Sequence, residues 1–305
     1  MKIFRSFEEA RSIRNPVVTT GSFDGVHIGH KTILARLRML AEKFDGESVL
    51  ITFDPHPRKV LYPETAGKDL KLINSQEEKL ELLEKAGLNN VIIVEFTKEF
   101  SRITSEQFVR DFLCRILHVK VVVVGFNHHF GFNKEGDYKQ LWAWQIKYNF
   151  EAEEIPEQEV YNETVSSTRI RQAISEGYIQ RANAYLDHYY NIIGKIANSS
   201  TPRSDDLPEL FHIPITEESK ILPSPGIYAV SSEYESKNMK GMAIVHQTPD
   251  GKEVLIHFFD GPDLSHDKNI IIMFHKRIHG AVNLSDNSSA FKINKAMEEI
   301  GELIY

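Results

Sequence analysis

The 305-residue chain has a single cysteine, Cys114, and two tryptophans. It also has no apolar run near the roughly 20 residues that a membrane-spanning helix needs. One cysteine excludes an intramolecular disulfide and points to a reducing compartment. The opening MKIFRSFEEARSIRNP lacks the apolar core of a secretory signal, so a cytoplasmic location is expected. Positive charge is in short supply. The formal net charge of −7 repels a phosphate backbone and weighs against a nucleic-acid partner. It leaves room for a local cationic pocket around a small phosphorylated ligand. No internal repeat or low-complexity tract occurs. With 41% hydrophobic and 26% charged residues, neither disorder nor a fibre is expected. The length suffices for two domains, each with its own core.

Two rhythms divide the chain. Up to about Leu186, strand-like and helix-like segments alternate: NPVVTTG, then apolar Ile33, Leu34, Leu37 and Leu40 at helical spacing, SVLITF, SQEEKLELLEKAG, NVIIVEF, TSEQFVRDFLCRIL and VKVVVVG. Ser75 with Glu78 reads as a capping box, and Gly87 as a helix stop. Continuous apolar strands belong to a parallel sheet covered on both faces. The expectation is an α/β domain, doubly wound, over residues 1–186, with ligands bound beyond the carboxyl ends of the strands. Residues 187–305 carry GIYAVSSEY, KGMAIVHQT, KEVLIHFF and KNIIIMFHKRI at short intervals, then a helical tail from about Ser288. That pattern predicts a small antiparallel β-barrel with a C-terminal helix, the change of rhythm falling near Tyr189. Cys114 reads as a core thiol, Trp142 and Trp144 as one exposed and one core ring, and EAEEIPEQE as a solvated edge strand and loop.

The stretch TTGSFDGVHIGH, Thr19 to His30, stands at a predicted strand-to-helix junction. Free N–H groups and the helix dipole favour an anion there. Gly25 and Gly29 remove Cβ atoms that would block close backbone approach. His27 and His30, three apart, lie on one side of the first turn and could both donate to one triphosphate. The stretch offers only Asp24 as a further metal ligand, so a protein-held metal is not expected. A second motif, VSSTRIR, opens a helix with Ser166, Ser167 and Thr168 followed by Arg169 and Arg171, which is the chemistry of an anion nest with a bidentate clamp.

GSFDGVHIGH together with VSSTRIR resembles the HxGH nucleotidylyltransferases. More narrowly, it resembles the FAD synthetase module of bacterial bifunctional riboflavin kinase/FMN adenylyltransferases. ITFDPHPRKVL, the segment from Glu77 to Leu113 and VVVVGFNHHFGFNKEGD continue that resemblance through nearly all of the first 186 residues. It implies transfer of adenylate from ATP to the FMN phosphate, giving FAD and pyrophosphate, with Mg²⁺ on the leaving group. In the catalytic role it implies His27, His30 and Arg171. For ATP it implies Gly21, Phe23, Asp24, Gly29, Ser166, Ser167, Thr168 and Arg169. On the flavin side it implies Phe53, Asp54, His56, Arg58, Asn127 and His129. The family's glycine–aromatic loop has an acidic residue where this chain has Asn127 and an arginine where it has His129, one charge of each sign removed. The resemblance favours flavin or nucleotide contact over metal ligation for His128 and His129.

The second half resembles the riboflavin kinase barrel but departs from it at the chemistry. NSSTPRSDDLPELFHIPI replaces the family's Gly-Arg-x-Leu-Gly-Phe-Pro-Thr-Ala-Asn stretch. Leu255 stands where the resemblance expects the catalytic Glu, two residues before His257. Glu253 is on the same strand face, about 6–7 Å further along the chain. DLSH replaces DLYG. The expectation is therefore an FMN adenylyltransferase with the kinase activity lost. The alternatives are a bifunctional enzyme with residual kinase activity and a non-catalytic flavin or nucleotide sensor, with homo-oligomerisation left open. Replacing His27 or His30 with Ala separates catalyst from sensor: a catalyst loses turnover far more than ligand affinity, a sensor only affinity.

Overall fold

The computed structural model describes residues 1–160, 163–196, 207–234, 237–249, 251–259, 269–284, 286 and 288–303. Two compact units result, Met1–Leu70 with Lys79–Val165, and Lys71–Glu78 with Ser166–Tyr305.

In the first unit, β1 (Lys2–Phe4), β2 (Val17–Thr20), β3 (Ser48–Asp54), β4 (Asn90–Glu95), β5 (Val121–Gly125) and β6 (Glu151–Ile155) form one sheet. The order is β1-β4-β3-β2-β5-β6, and every pairing is parallel. Successive residues along the strands bury into different cores, as a pleat requires. Val17, Leu50, Val91 and Val123 pack with Leu34 and Leu37 of α1 (Ile28–Lys43). Val18, Val49, Ile92 and Val122 pack instead with Phe108, Val109 and Leu113. Both faces are covered, which explains why these strands read as unbroken apolar runs. The predicted doubly wound sheet is what forms.

Local signals are also borne out. Ser75 Oγ accepts from Glu78 N at 3.2 Å and Glu78 accepts from Ser75 N at 2.8 Å, the expected capping box at the start of α3 (Gln76–Lys85). Thr104 and Gln107 cap α4 (Ser105–Gln107) in the same way, and the chain continues as a π-helix over Phe108–Ile116. Cys114 is partly rather than fully buried against that core, and burial pushes its thiol up to about 11. After α2 (Pro57–Leu61), α5 (Tyr138–Tyr148) exposes Trp142 and packs Trp144 on the core. The acidic β6 is an edge strand, as expected. A small ribbon, β7 (Glu159–Val160) with β8 (Glu163–Thr164), follows.

The second unit holds α6 (Ser167–Glu176), α7 (Ile179–Leu186) and an antiparallel sheet. Its strands are β9 (Tyr190–Lys195), β10 (Phe211–Ile213), β11 (Gly226–Tyr234), β12 (Lys237–Thr248), β13 (Gly251–Phe258) and β14 (Asn269–His279), in the order β10-β13-β12-β11-β14-β9. The two edge strands curl toward each other, because a Cβ on Gly194 of β9 would stand 2.7 Å from Ile213 Cγ2 of β10. This is the predicted barrel, and α8 (Ser288–Gly301) caps one face with Ile293, Ala296 and Ile300. The expected functional boundary at 186/187 is a separate matter from the compact units, which place residues 166–186 in the second. The predicted departures at Asn198–Asp206 and Asp263–His266 lie outside the described residues.

One buried ion pair organises the second unit. Lys220 Nζ meets Glu78 at 2.5 Å with both side chains almost wholly enclosed, and donates further to Ile73 O at 2.7 Å and Asn191 O at 2.8 Å. Glu78 also accepts from Ile193 N at 3.0 Å. Segment 71–78 is thereby tied to β9 and to the turn before β11. Lys220→Met strands a buried carboxylate and should cost about 3–5 kcal/mol in denaturant unfolding, whereas pairing it with Glu78→Leu should recover much of that loss.

Candidate active site

In the order of the first sheet, β2 lies between β3 and β5. The connection from β2 runs to β3 on one side and that from β5 to β6 on the other, so a topological switch point lies between β2 and β5, where a crevice opens beyond the carboxyl ends. A cavity of about 770 Å³ lies there, wholly within the first unit. The chain leaving β2 bends sharply, with left-handed φ at Phe23 (49°), Gly25 (94°) and Val26 (39°). For a β-branched valine this is a strained conformation, of the kind that concentrates at functional sites.

His27 is the N-cap residue of α1 and His30 lies in its first turn. The two imidazoles stack with centroids 3.7 Å apart and planes 18° apart, and Phe23 covers the other face of His30 at 4.3 Å. Gly29 permits the stack, since a Cβ there would meet the His27 ring at 3.3 Å. Burial, then the neighbouring His27 and Lys79, hold His30 well below the usual histidine range. It is therefore a neutral imidazole, and its Nδ1 is buried without a hydrogen-bond partner among the described residues.

Gly21, Phe23, His27, Gly29 and His30 form one part of the cavity wall, and Phe53, His56, Arg58, Asn127 and His129 another. Ten of the predicted residues thus share one cavity. Asp24, buried, and Asp54, exposed, stand outside its lining. His56 caps α2, its Nδ1 accepting from Arg58 N at 3.2 Å. Asn127 has φ 61°, a conformation that asparagine tolerates better than most residues. Ser166, Ser167, Thr168, Arg169 and Arg171 belong to the second unit. There Ser166 caps α6, accepting from Arg169 N at 3.4 Å, and Arg171 donates to Thr168 Oγ1 at 3.4 Å.

Of the aromatic end of the cavity, sequence reasoning found Phe53 and missed the rest. Phe53, Phe96 and Phe100 meet with centroids 5.4–5.9 Å apart, and Phe108 and Phe130 continue the wall. Phe96 and Phe100, four apart in FTKEF, were the available signal. One end of the cavity is built from glycine backbone and imidazole, the other from flat apolar rings. Among the described residues no group of three or more His, Cys, Asp or Glu stands at metal-holding geometry.

The profile of the FAD synthetase family matches residues 9–169. The chain belongs to that family. Its members are enzymes that make FAD. Full-length relatives agree: the bifunctional riboflavin kinase/FMN adenylyltransferase of Listeria monocytogenes is 32% identical over 267 residues, covering 87% of this chain and 81% of the relative. The Escherichia coli protein of the same name is 27% identical over 273 residues, covering 86% and 84%. A crystal structure described as a macrolide-efflux protein from Streptococcus pneumoniae superposes with a TM-score of 0.87, covering all of both chains at 23% identity. That likeness establishes the fold alone. No helix among the described residues is long and apolar enough to cross a membrane.

His128, on the wall of the same cavity, yields a pH prediction. Burial, and secondarily His129, lowers it from 6.5 to about 4. Between those values the unfolded chain binds the proton that the folded chain refuses. Stability should therefore fall as pH drops from about 6.5 toward 4, by up to about 3 kcal/mol from this residue. Urea unfolding across that range should show a shallower decline for His128→Phe than for the parent.

Proposed function

We propose that the cavity beyond β2 and β5 transfers adenylate from ATP to FMN. An oxygen of the FMN phosphate attacks the α-phosphorus, the bond from that phosphorus to the bridging oxygen breaks, and pyrophosphate leaves. The observation that carries this reading is the stacked His27–His30 pair in one cavity with the Phe53, Phe96 and Phe100 rings. Ring nitrogens at a helix start suit phosphate oxygens, and aromatic rings suit an isoalloxazine or adenine face. The chemistry needs no covalent enzyme intermediate, so the side chains act by aligning and neutralising. Gly21, Phe23 and Gly29 shape the phosphate end. Phe53, His56, Arg58, Asn127 and His129 make up the flavin side, with Asp24 and Asp54 supporting their loops from outside the lining. Ser166, Ser167, Thr168, Arg169 and Arg171 remain a phosphate-binding element on the chemistry of their own helix start. Magnesium, carried in with the triphosphate, would supply positive charge for the departing pyrophosphate.

The barrel is assigned no kinase activity. Leu255 is buried in the apolar cluster that also includes Ile227, Ile244 and Ile293, so an apolar side chain fills the position that the resemblance gives to a catalytic carboxylate. Glu253 is paired with His246 at 3.1 Å across β12 and β13. With one cysteine, a negative net charge and two diffusible substrates, the protein is assigned to the cytoplasm, without a nucleic-acid partner.

Purified protein with ATP and Mg²⁺ should convert FMN to FAD and leave riboflavin unchanged when the flavins are resolved chromatographically. FMN formed from riboflavin would overturn the assignment of the barrel. FMN binding without turnover would favour a sensor.

A further inference from the structure

Helix α3 buries a lysine in the first unit. Lys79 is 8% exposed, in a residue class almost never enclosed without a partner, because removing an ammonium from water is costly. It sits one turn before the fully buried Leu83, on the stripe that packs into the sheet. Its Nζ lies 3.4 Å from Thr52 Oγ1. Thr52, fully buried at the carboxyl end of β3, donates in turn to Ser22 O at 3.3 Å. Ser22 is on the cavity wall between Gly21 and Phe23, whereas Lys79 is not. An ammonium that donates to a hydroxyl strengthens that hydroxyl's own donation. The relay therefore holds the turn before the two histidines from behind, with a charge at its far end.

We propose that Lys79 is a positioning residue for adenylyl transfer, fixing the Gly21–Phe23 turn through Thr52 and acting electrostatically on His30 from behind the phosphate end of the cavity. His30 then serves as a neutral donor, and the lysine sits where solvent and substrate cannot displace it. The titratable and charged groups that act on His30 are His27 from the loop and Lys79 from α3, while Phe23 covers its other face. This inference rests on the functional reading above, and its test separates the two.

Lys79→Met, Lys79→Arg and Thr52→Val are made in the full chain. FAD formation from FMN and ATP is followed from pH 5.5 to 8.5, and the His30 ring is titrated by NMR. Lys79→Met should lower kcat/KM for ATP at pH 8 about 100-fold, the scale of losing one aimed electrostatic group. It should regain part of that toward acid pH, as the His30 midpoint rises and an imidazolium replaces the missing charge. Lys79→Arg should stay within about tenfold of the parent and keep its pH profile. Thr52→Val should reduce kcat while leaving the His30 midpoint in place. A folded Lys79→Met protein with the parent's pH profile and an unmoved His30 midpoint would overturn the proposal. If Lys79→Met does not fold, an Arg variant that is folded yet as inactive as His27→Ala overturns it equally. A parent that makes no FAD would instead remove the functional reading, and the His30 midpoint would still decide the electrostatic part.

Discussion

The site depends on how β2 is paired. It accepts β3 along one edge and β5 along the other, and residues 17 and 18 bury into different cores, so neither its register nor its direction can drift without turning both faces. A strand held this firmly can end in a turn that no free peptide would choose. Phe23, Gly25 and Val26 adopt left-handed φ directly beyond it, and the reward is geometric: His27 arrives as the cap of α1, with its ring lying over His30. Sheet order, strained loop, helix start and imidazole stack form one chain of cause.

The second unit solves a different problem. Among the described residues its sheet has no helix between successive strands from β11 to β14, so it must close on itself and borrow cover. The approach of Ile213 to Gly194 draws the edges together, and α8 supplies the lid on one face. The Glu78–Lys220 pair then joins pieces far apart in sequence. A buried pair of this kind adds little stability over a well-packed apolar one, but it tolerates few alternative arrangements. Its role here is to fix which segment lies against which.

Much of this was legible in the sequence. The apolar continuity of VKVVVVG announced a strand covered on both faces, Ser75 with Glu78 announced a helix start, and the glycines of GSFDGVHIGH announced a tight strand-to-helix turn. What escaped was non-local. Phe53 meets Phe96 and Phe100 only because β3 and β4 are neighbours, a fact no window of sequence contains. Lys220 sits in a turn-rich stretch and reads as a solvated charge until its three partners are seen. Lys79 is the intermediate case. EEKLELLEK looks like an exposed acidic and basic face, yet the four-residue step from Lys79 to Leu83 already put the lysine on the inner stripe.

The burial of Leu255 also decides which side chains that position admits. A glutamate there would enter an apolar cluster that includes Ile227, Ile244 and Ile293, whose side chains offer no donor. A carboxyl group in such a setting keeps its proton rather than its charge. The position therefore selects for neutrality as well as for size.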